Sequence, residues 1–180
     1  MRGMGKHGEC RPFPYMIGVA LPSQSPDCGL NGQFYSLRIG VLAAYKLLIV
    51  DDSEDDRFFL ERELKSIPSC GIVGIVYDGE AAIDYLSGAA TFANRALFPM
   101  PDVMLLDLKM PRMNGFDVLR WLQRQSLAQL TVIVLSSSML VEDIHRAKAL
   151  GAHHYVVKNL PRETAGAIAQ ILDKRNQASC

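Results

Sequence analysis

A chain of 180 residues with 49% hydrophobic content is the size of one domain with a tail, and it has enough apolar material to bury a proper core. Its 19 basic and 19 acidic residues cancel to a formal charge of zero, so no overall positive field draws it to nucleic acid or an anionic membrane, and a protein partner or a small ion is the expected ligand. The longest apolar runs, such as Val103 to Leu106 and Thr131 to Leu135, fall far short of the ~20 residues of a spanning helix, and Pro12, Pro14, Pro22 and Pro26 break the stretch where a signal peptide needs an unbroken apolar core.

Cys10, Cys28, Cys70 and Cys180 form no CxxC pair and have no zinc-like spacing to histidine, which fits a reduced, cytoplasmic chain. Residues 1–44 hold half of the 14 glycines and four of the nine prolines without a sustained helical or strand period. They are expected to be a poorly ordered extension, or an artefact of a start codon assigned too early. Regular patterning begins near Tyr45, and short apolar runs then alternate with amphipathic segments, the signature of strands connected through helices into a parallel sheet.

In chain order, the spacing predicts a strand over Lys46–Val50 and a helix over Glu54–Ser66, with Ser53 as its N-cap. A strand over Gly71–Val76 and a helix over Gly79–Leu86 follow, and then the long segment Ser87–Pro101. The third pair is Val103–Leu106 and Gly115–Gln123, with Trp121 and Met113 in the apolar stripe of that helix. The fourth is Thr131–Leu135 and Val141–Leu150, stopped by Gly151. The fifth is His154–Val157 and Arg162–Arg175, opened by Pro161. The expected result is an α/β, doubly wound, five-stranded parallel sheet of (βα)5 type over residues 45–175, with a short tail over 176–180 and no effector domain. His145 falls on a helix face and His153 and His154 follow the Gly151 stop, so none of them is read as a metal ligand.

Open parallel sheets bind ligands beyond the carboxyl ends of their strands. The residues at those ends are Asp51 and Asp52 after the first strand, Asp107 after the third, Ser136 after the fourth and Lys158 after the fifth. Taken singly, the Asp51-Asp52-Ser53 run reads equally well as an acidic helix entrance, and Asp107 as a turn residue ahead of Pro111 and Gly115. Neither view explains carboxylate, hydroxyl and ammonium groups gathered at the ends of four strands on one edge. Three converging carboxylates repel unless a cation sits among them. Mg2+ suits such a site, because it takes oxygen ligands from one or two carboxylates plus phosphate oxygens. Asp52 and Asp107 are the expected direct ligands, with Asp51 holding a metal-bound water and the Lys109 carbonyl completing the protein's share. Lys158 and Ser136 supply the charge and the donor that a phosphoryl group in transfer needs, and Asp107 is the nucleophile.

Over residues 46–175 the chain resembles the bacterial response-regulator receiver family, of the single-domain, chemotaxis-regulator-like kind with a flavodoxin-like fold. The matching pieces are Leu48-Ile49-Val50-Asp51-Asp52-Ser53, Leu105-Leu106-Asp107-Leu108-Lys109-Met110-Pro111 with Gly115, Val134-Leu135-Ser136-Ser137, and Tyr155-Val156-Val157-Lys158. The resemblance implies phosphorylation of Asp107 by a sensor histidine kinase, Mg2+ organised by Asp51 and Asp52, and a switch in which Ser136 moves toward the phosphoryl group while Tyr155 turns inward. It also implies that Lys109 and Ser138 tune phosphoryl lifetime. The output is then contact with a downstream protein, with homodimerisation through the fourth helix and fifth strand drawn from relatives.

Two departures stand out. Relatives place a cis-proline after the lysine, where this chain has Asn159, so the aim of Lys158 is expected to depend on a differently built loop. The length of Ser87–Pro101 looks like the stand-alone regulators that serve phytochrome-type kinases, and reads equally as a tolerated surface insertion. A haloacid-dehalogenase-like phosphohydrolase would need an acid two residues past the nucleophile, where Lys109 stands. An unphosphorylated scaffold would lack one of the acids or the lysine, and all are present.

Overall fold

The computed structural model describes residues 45–178. The extension expected over residues 1–44 lies outside them, as do Ser179 and Cys180. Five parallel strands, β1 (Tyr45–Val50), β2 (Cys70–Val76), β3 (Val103–Asp107), β4 (Thr131–Ser136) and β5 (His154–Val157), form one sheet in the order β2-β1-β3-β4-β5. They alternate with α1 (Glu54–Leu64), α2 (Gly79–Ser87), α3 (Gly115–Leu122), α4 (Val141–Ala149) and α5 (Pro161–Ala178). The expected elements are all present, with ends displaced by a residue or two. The largest difference is α5, which runs on to Ala178 into the segment expected as a tail.

The central strands are apolar at consecutive positions because both of their faces are covered. Alternation assigns the side chains to two cores. Leu47, Ile49, Val103, Leu105, Ile133 and Leu135 pack with Leu60 and Leu64 of α1 and with Ile168 and Leu172 of α5. Leu48, Val50, Met104, Leu106, Val132 and Val134 pack on the other side with Tyr85 of α2, Val118 and Leu119 of α3 and Ala147 of α4. Strand order reverses direction between β1 and β3, and the crevice at such a switch point is where these sheets bind ligands.

Local signals set the helix ends. Ser53 accepts from the Asp56 amide, Asp78 from the Ala81 amide, and Asn114 forms a capping box with Asp117. Gly151 takes a left-handed φ of 94° just past α4, a conformation that favours glycine. Met113 departs from expectation: α3 begins at Gly115, so Met113 lies in the preceding loop, although its side chain still packs on the core.

The long segment after α2 is an ordered staple. Gly88 ends the helix with φ 70°, and a single 3-10 turn follows at Ala90–Phe92. Phe92 then packs tilted, and Phe98 edge-on, against Tyr85, with ring centroids 5.1 and 6.1 Å from it. The Arg95 guanidinium donates to the Tyr85 and Leu86 carbonyls, each at 2.7 Å, and to Phe98 O at 3.3 Å, adding to the Gly88 amide that also reaches the Tyr85 carbonyl and completing the end of the helix. The register of β1 on β2 slips at Val73, since Leu47 faces Ile72 while Leu48 faces Gly74. The Val73 carbonyl freed there lies 3.0 Å from the Tyr85 hydroxyl, which is equally close to Pro99 O. Gly74 makes room for this ring, because a Cβ there would lie 2.5 Å from Tyr85 Cε2.

Tyr85→Phe and Arg95→Ala should each lower unfolding stability by about 1–3 kcal/mol, the cost of leaving buried carbonyls unpaired. Gly74→Ala should also destabilise by forcing the ring aside. Urea denaturation midpoints check all three.

Candidate functional site

Register builds the site from the strand ends. Val50 pairs with Leu106, so Asp51 and Asp107, the next residues along, come side by side at the switch point. Asp107 pairs with Leu135, which puts Ser136 one step beyond it on β4. Ser136 in turn pairs with Val157, which puts Lys158 one step beyond on the β5 side. Asp51, Asp107 and Ser136 are buried, whereas Asp52 is exposed.

Asp51, Asp52 and Asp107 each present an oxygen within 4.8 Å of the others. The Lys158 ammonium reaches across from the far side of the sheet. It lies 2.7 Å from Asp51 Oδ2, 3.0 Å from Asp56 Oδ2 and 3.3 Å from Asp107 Oδ1. Backbone and guanidinium donors fix the acids further. The Ser53 amide donates to Asp51 Oδ1 at 2.9 Å, the Lys109 amide to Asp107 Oδ2 at 3.1 Å, and Arg57 Nη1 to the Asp51 carbonyl at 2.7 Å. The Arg57 guanidinium also lies over the Tyr77 ring, 4.2 Å from its centroid.

These contacts shift two pKa values. Burial pushes the Asp107 carboxyl above its ordinary value and the Asp51 charge adds to this, while the Lys158 ammonium and the Lys109 amide oppose it. Burial works against the Lys158 charge, but the hydrogen bond it donates to Asp51 and the fields of Asp107 and Asp51 outweigh it, so Lys158 lies above the usual lysine range. The donors at the acidic cluster are all carboxylate oxygens, and one ammonium is shared among them. That is a set a hard divalent cation fits.

The two residues expected to switch meet at a third. Ser136 Oγ accepts from the Ser138 amide at 3.2 Å, and the Tyr155 hydroxyl donates to Ser138 O at 2.9 Å. Ser138 Oγ donates to Asp143 Oδ2 at 2.6 Å and accepts from the Leu140 amide at 3.3 Å. Since Leu140 gives α4 no side-chain cap, Ser138 and Asp143 organise the start of that helix. Among the described residues no peptide bond is cis. The turn after Lys158 is held instead by the Asn159 amide donating to Thr164 Oγ1 at 3.2 Å.

The structure therefore gathers Asp51, Asp52, Asp107, Lys158 and the Lys109 backbone at one centre, and joins Ser136 and Tyr155 beside it through Ser138. Sequence reasoning missed Asp56, Arg57 and Asp143, because an acid three residues after Ser53 reads as a local cap and the other two as solvated helix faces. His153 has structural work: its Nδ1 accepts from the Val132 amide at 3.1 Å. His145 is exposed on α4.

Comparison with known proteins places this geometry. The model of the response regulator receiver domain matches residues 47–170. A protein-glutamate methylesterase/protein-glutamine glutaminase of Geobacter sulfurreducens is 34% identical over 130 residues, covering 72% of this chain and 31% of the relative. The chain spans about a third of the length of the first curated relatives it matches. Among solved structures, the response regulator RPA3017 in red light signaling of R. palustris is 32% identical with a TM-score of 0.63, covering 70% of this chain and 90% of that one. The phosphorylated cyanobacterial phytochrome response regulator RcpA is 27% identical with a TM-score of 0.63, covering 76% and 96%. The fold, the strand-end acids and the match over residues 47–170 agree: this chain belongs to the response regulator receiver domain family.

Proposed function

We propose that the protein accepts a phosphoryl group on Asp107 from a sensor histidine kinase, in a Mg2+-dependent reaction, and passes the signal to a protein partner by a conformational switch. The observation that carries this is the ammonium of Lys158 held within 3.3 Å of the buried Asp107 carboxylate at the sheet's switch point. An Asp107 oxygen attacks the phosphorus of the kinase's phosphohistidine, the P–N bond breaks, and the imidazole departs with the partner. Lys158 donates to a phosphoryl oxygen where charge gathers, and the Ser136 hydroxyl offers a further donor once it turns from the Ser138 amide. Asp52, Asp107 and the Lys109 carbonyl would hold Mg2+, with Asp51 acting through water, and the ion would supply positive charge to offset that of the phosphoryl and carboxylate oxygens.

Movement of Ser136 toward Asp107 gives up its bond from the Ser138 amide, and Tyr155 and Asp143 are tied to the same residue. The start of α4, where Met139, Leu140 and Val141 are exposed, is therefore the surface that responds. A protein partner or a second copy of the chain is proposed to read that face. The chain is proposed to act in the cytoplasm, without turning over an outside substrate. The red-light and phytochrome regulators among its relatives support a kinase of the phytochrome type.

Incubation with acetyl phosphate and Mg2+ should give a single phosphoryl adduct by intact mass, absent without Mg2+ and absent in Asp107→Asn. No adduct, with acetyl phosphate or with a panel of histidine kinases, sinks the reading. The raised Asp107 pKa sets a second expectation. A carboxyl whose folded pKa lies above its unfolded value costs stability once ionised, and the cost vanishes below the unfolded value. Asp107→Asn should therefore be more stable than wild type at pH 7 in chelator, an advantage that fades as the pH falls from the raised folded value to the ordinary carboxylate value and shrinks when Mg2+ is added. Thermal melts at several pH values read this. For the homodimer, sedimentation velocity should show a shift to dimer on phosphorylation, and a monomer in both states excludes it.

A further inference from the structure

α1 opens on the pattern Ser53-Glu54-Asp55-Asp56, in which Ser53 caps the helix by accepting from the Asp56 amide at 3.2 Å. An acid at that third helical position normally closes a capping box by reaching back to the amide of the cap residue. Asn114 and Asp117 do this at α3, where the Asp117 carboxylate accepts from the Asn114 amide at 3.2 Å. At α1 the box is left open. The Ser53 amide goes instead to Asp51 Oδ1 at 2.9 Å, and the Asp56 carboxylate crosses from α1 to Lys158 at 3.0 Å.

An ammonium has three N–H groups. For Lys158, one meets Asp51 at 2.7 Å and one meets Asp56 at 3.0 Å, so the third is left for Asp107, at 3.3 Å. With only Asp51 as anchor the ammonium would be free to swivel about that single bond. Asp56 adds a second anchor, beside a cleft of about 40 Å³ that it lines with Leu60, Pro161 and Thr164 and that Asp107 does not line. It does so where the turn after Lys158 carries Asn159.

We propose that Asp56 is a positioning residue for phosphoryl transfer: with Asp51 it brackets the Lys158 ammonium and directs the remaining N–H at the oxygen where the phosphoryl group forms. The inference rests on Asp107 being the phosphoacceptor. The bond that ties the Asp56 carboxylate to the site is the one from Lys158, so its influence passes through that ammonium.

The test is the initial rate of phosphoryl uptake by the full chain at fixed acetyl phosphate and saturating Mg2+, followed by intact mass, with folding checked by thermal melts. Asp56→Asn should slow uptake roughly threefold, the scale of a half-exposed ion pair, and Asp56→Glu should recover most of the rate. Asp55→Asn removes the same charge from the same helix turn without a bond to Lys158, and should leave uptake unchanged. In a Lys158→Ala background Asp56→Asn should have no further effect, because the two residues act as one unit. Equal slowing with and without Lys158, or equal slowing by Asp55→Asn, overturns the proposal in favour of a general field or a helix cap. Uptake in wild type with no change in Asp56→Asn overturns this inference alone, whereas no uptake in wild type overturns the phosphoacceptor reading with it.

Discussion

Carboxylates set next to one another at the ends of β1 and β3 repel, and one ammonium arriving from beyond β5 offsets that repulsion. Unit charges 4 Å apart interact by roughly 4 kcal/mol at an effective dielectric near 20, a large share of the ~5–15 kcal/mol that keeps a domain folded. Lys158, within 3.3 Å of both Asp51 and Asp107, is the charge that offsets the acids at this edge, with the Ser53 and Lys109 amides adding to it. That proximity in turn depends on registers that carry Asp107, Ser136 and Lys158 stepwise across β3, β4 and β5. A slip of one residue in any of them would turn a charged group into the apolar layers.

Much of this was legible in the chain before any coordinates. Runs such as Leu47 to Val50 and Val103 to Leu106 leave little choice but strands covered on both faces, and the acids directly after them then fall at one edge. What could not be read were contacts between residues far apart in sequence whose local setting already explains them. Asp56 looks complete as a helix-start acid, and only the fold shows its carboxylate on Lys158, 102 positions later. Arg95 sits in a segment without periodicity, and its pairing with the α2 carbonyls depends on the chain doubling back. Met113 has the apolar character of the third helix but precedes its cap, because Asn114 ends the loop by closing a box with Asp117.

Ser138 gives the site its connection to the rest of the molecule. Its amide, carbonyl and hydroxyl bind Ser136, Tyr155 and Asp143 respectively. Three elements thus converge on one buried residue, and displacing any one bond leaves a polar group that must find a new partner within the protein. Such a junction has few intermediate arrangements, which favours a discrete change over a gradual one.

β5 closes the sheet on one side, has four residues and is laddered only to β4. A short strand bonded along a single side belongs to the part of a structure that opens at the lowest free energy, ahead of the buried strands. Tyr155 lies on it and Lys158 directly follows it, so the cation nearest Asp107 is carried by one of the least protected stretches of backbone in the sheet. Any ligand that binds Lys158 only in the closed arrangement deepens that arrangement by mass action. Amide hydrogen exchange along His154–Val157 thereby becomes a gauge of occupancy at an aspartate two strands away.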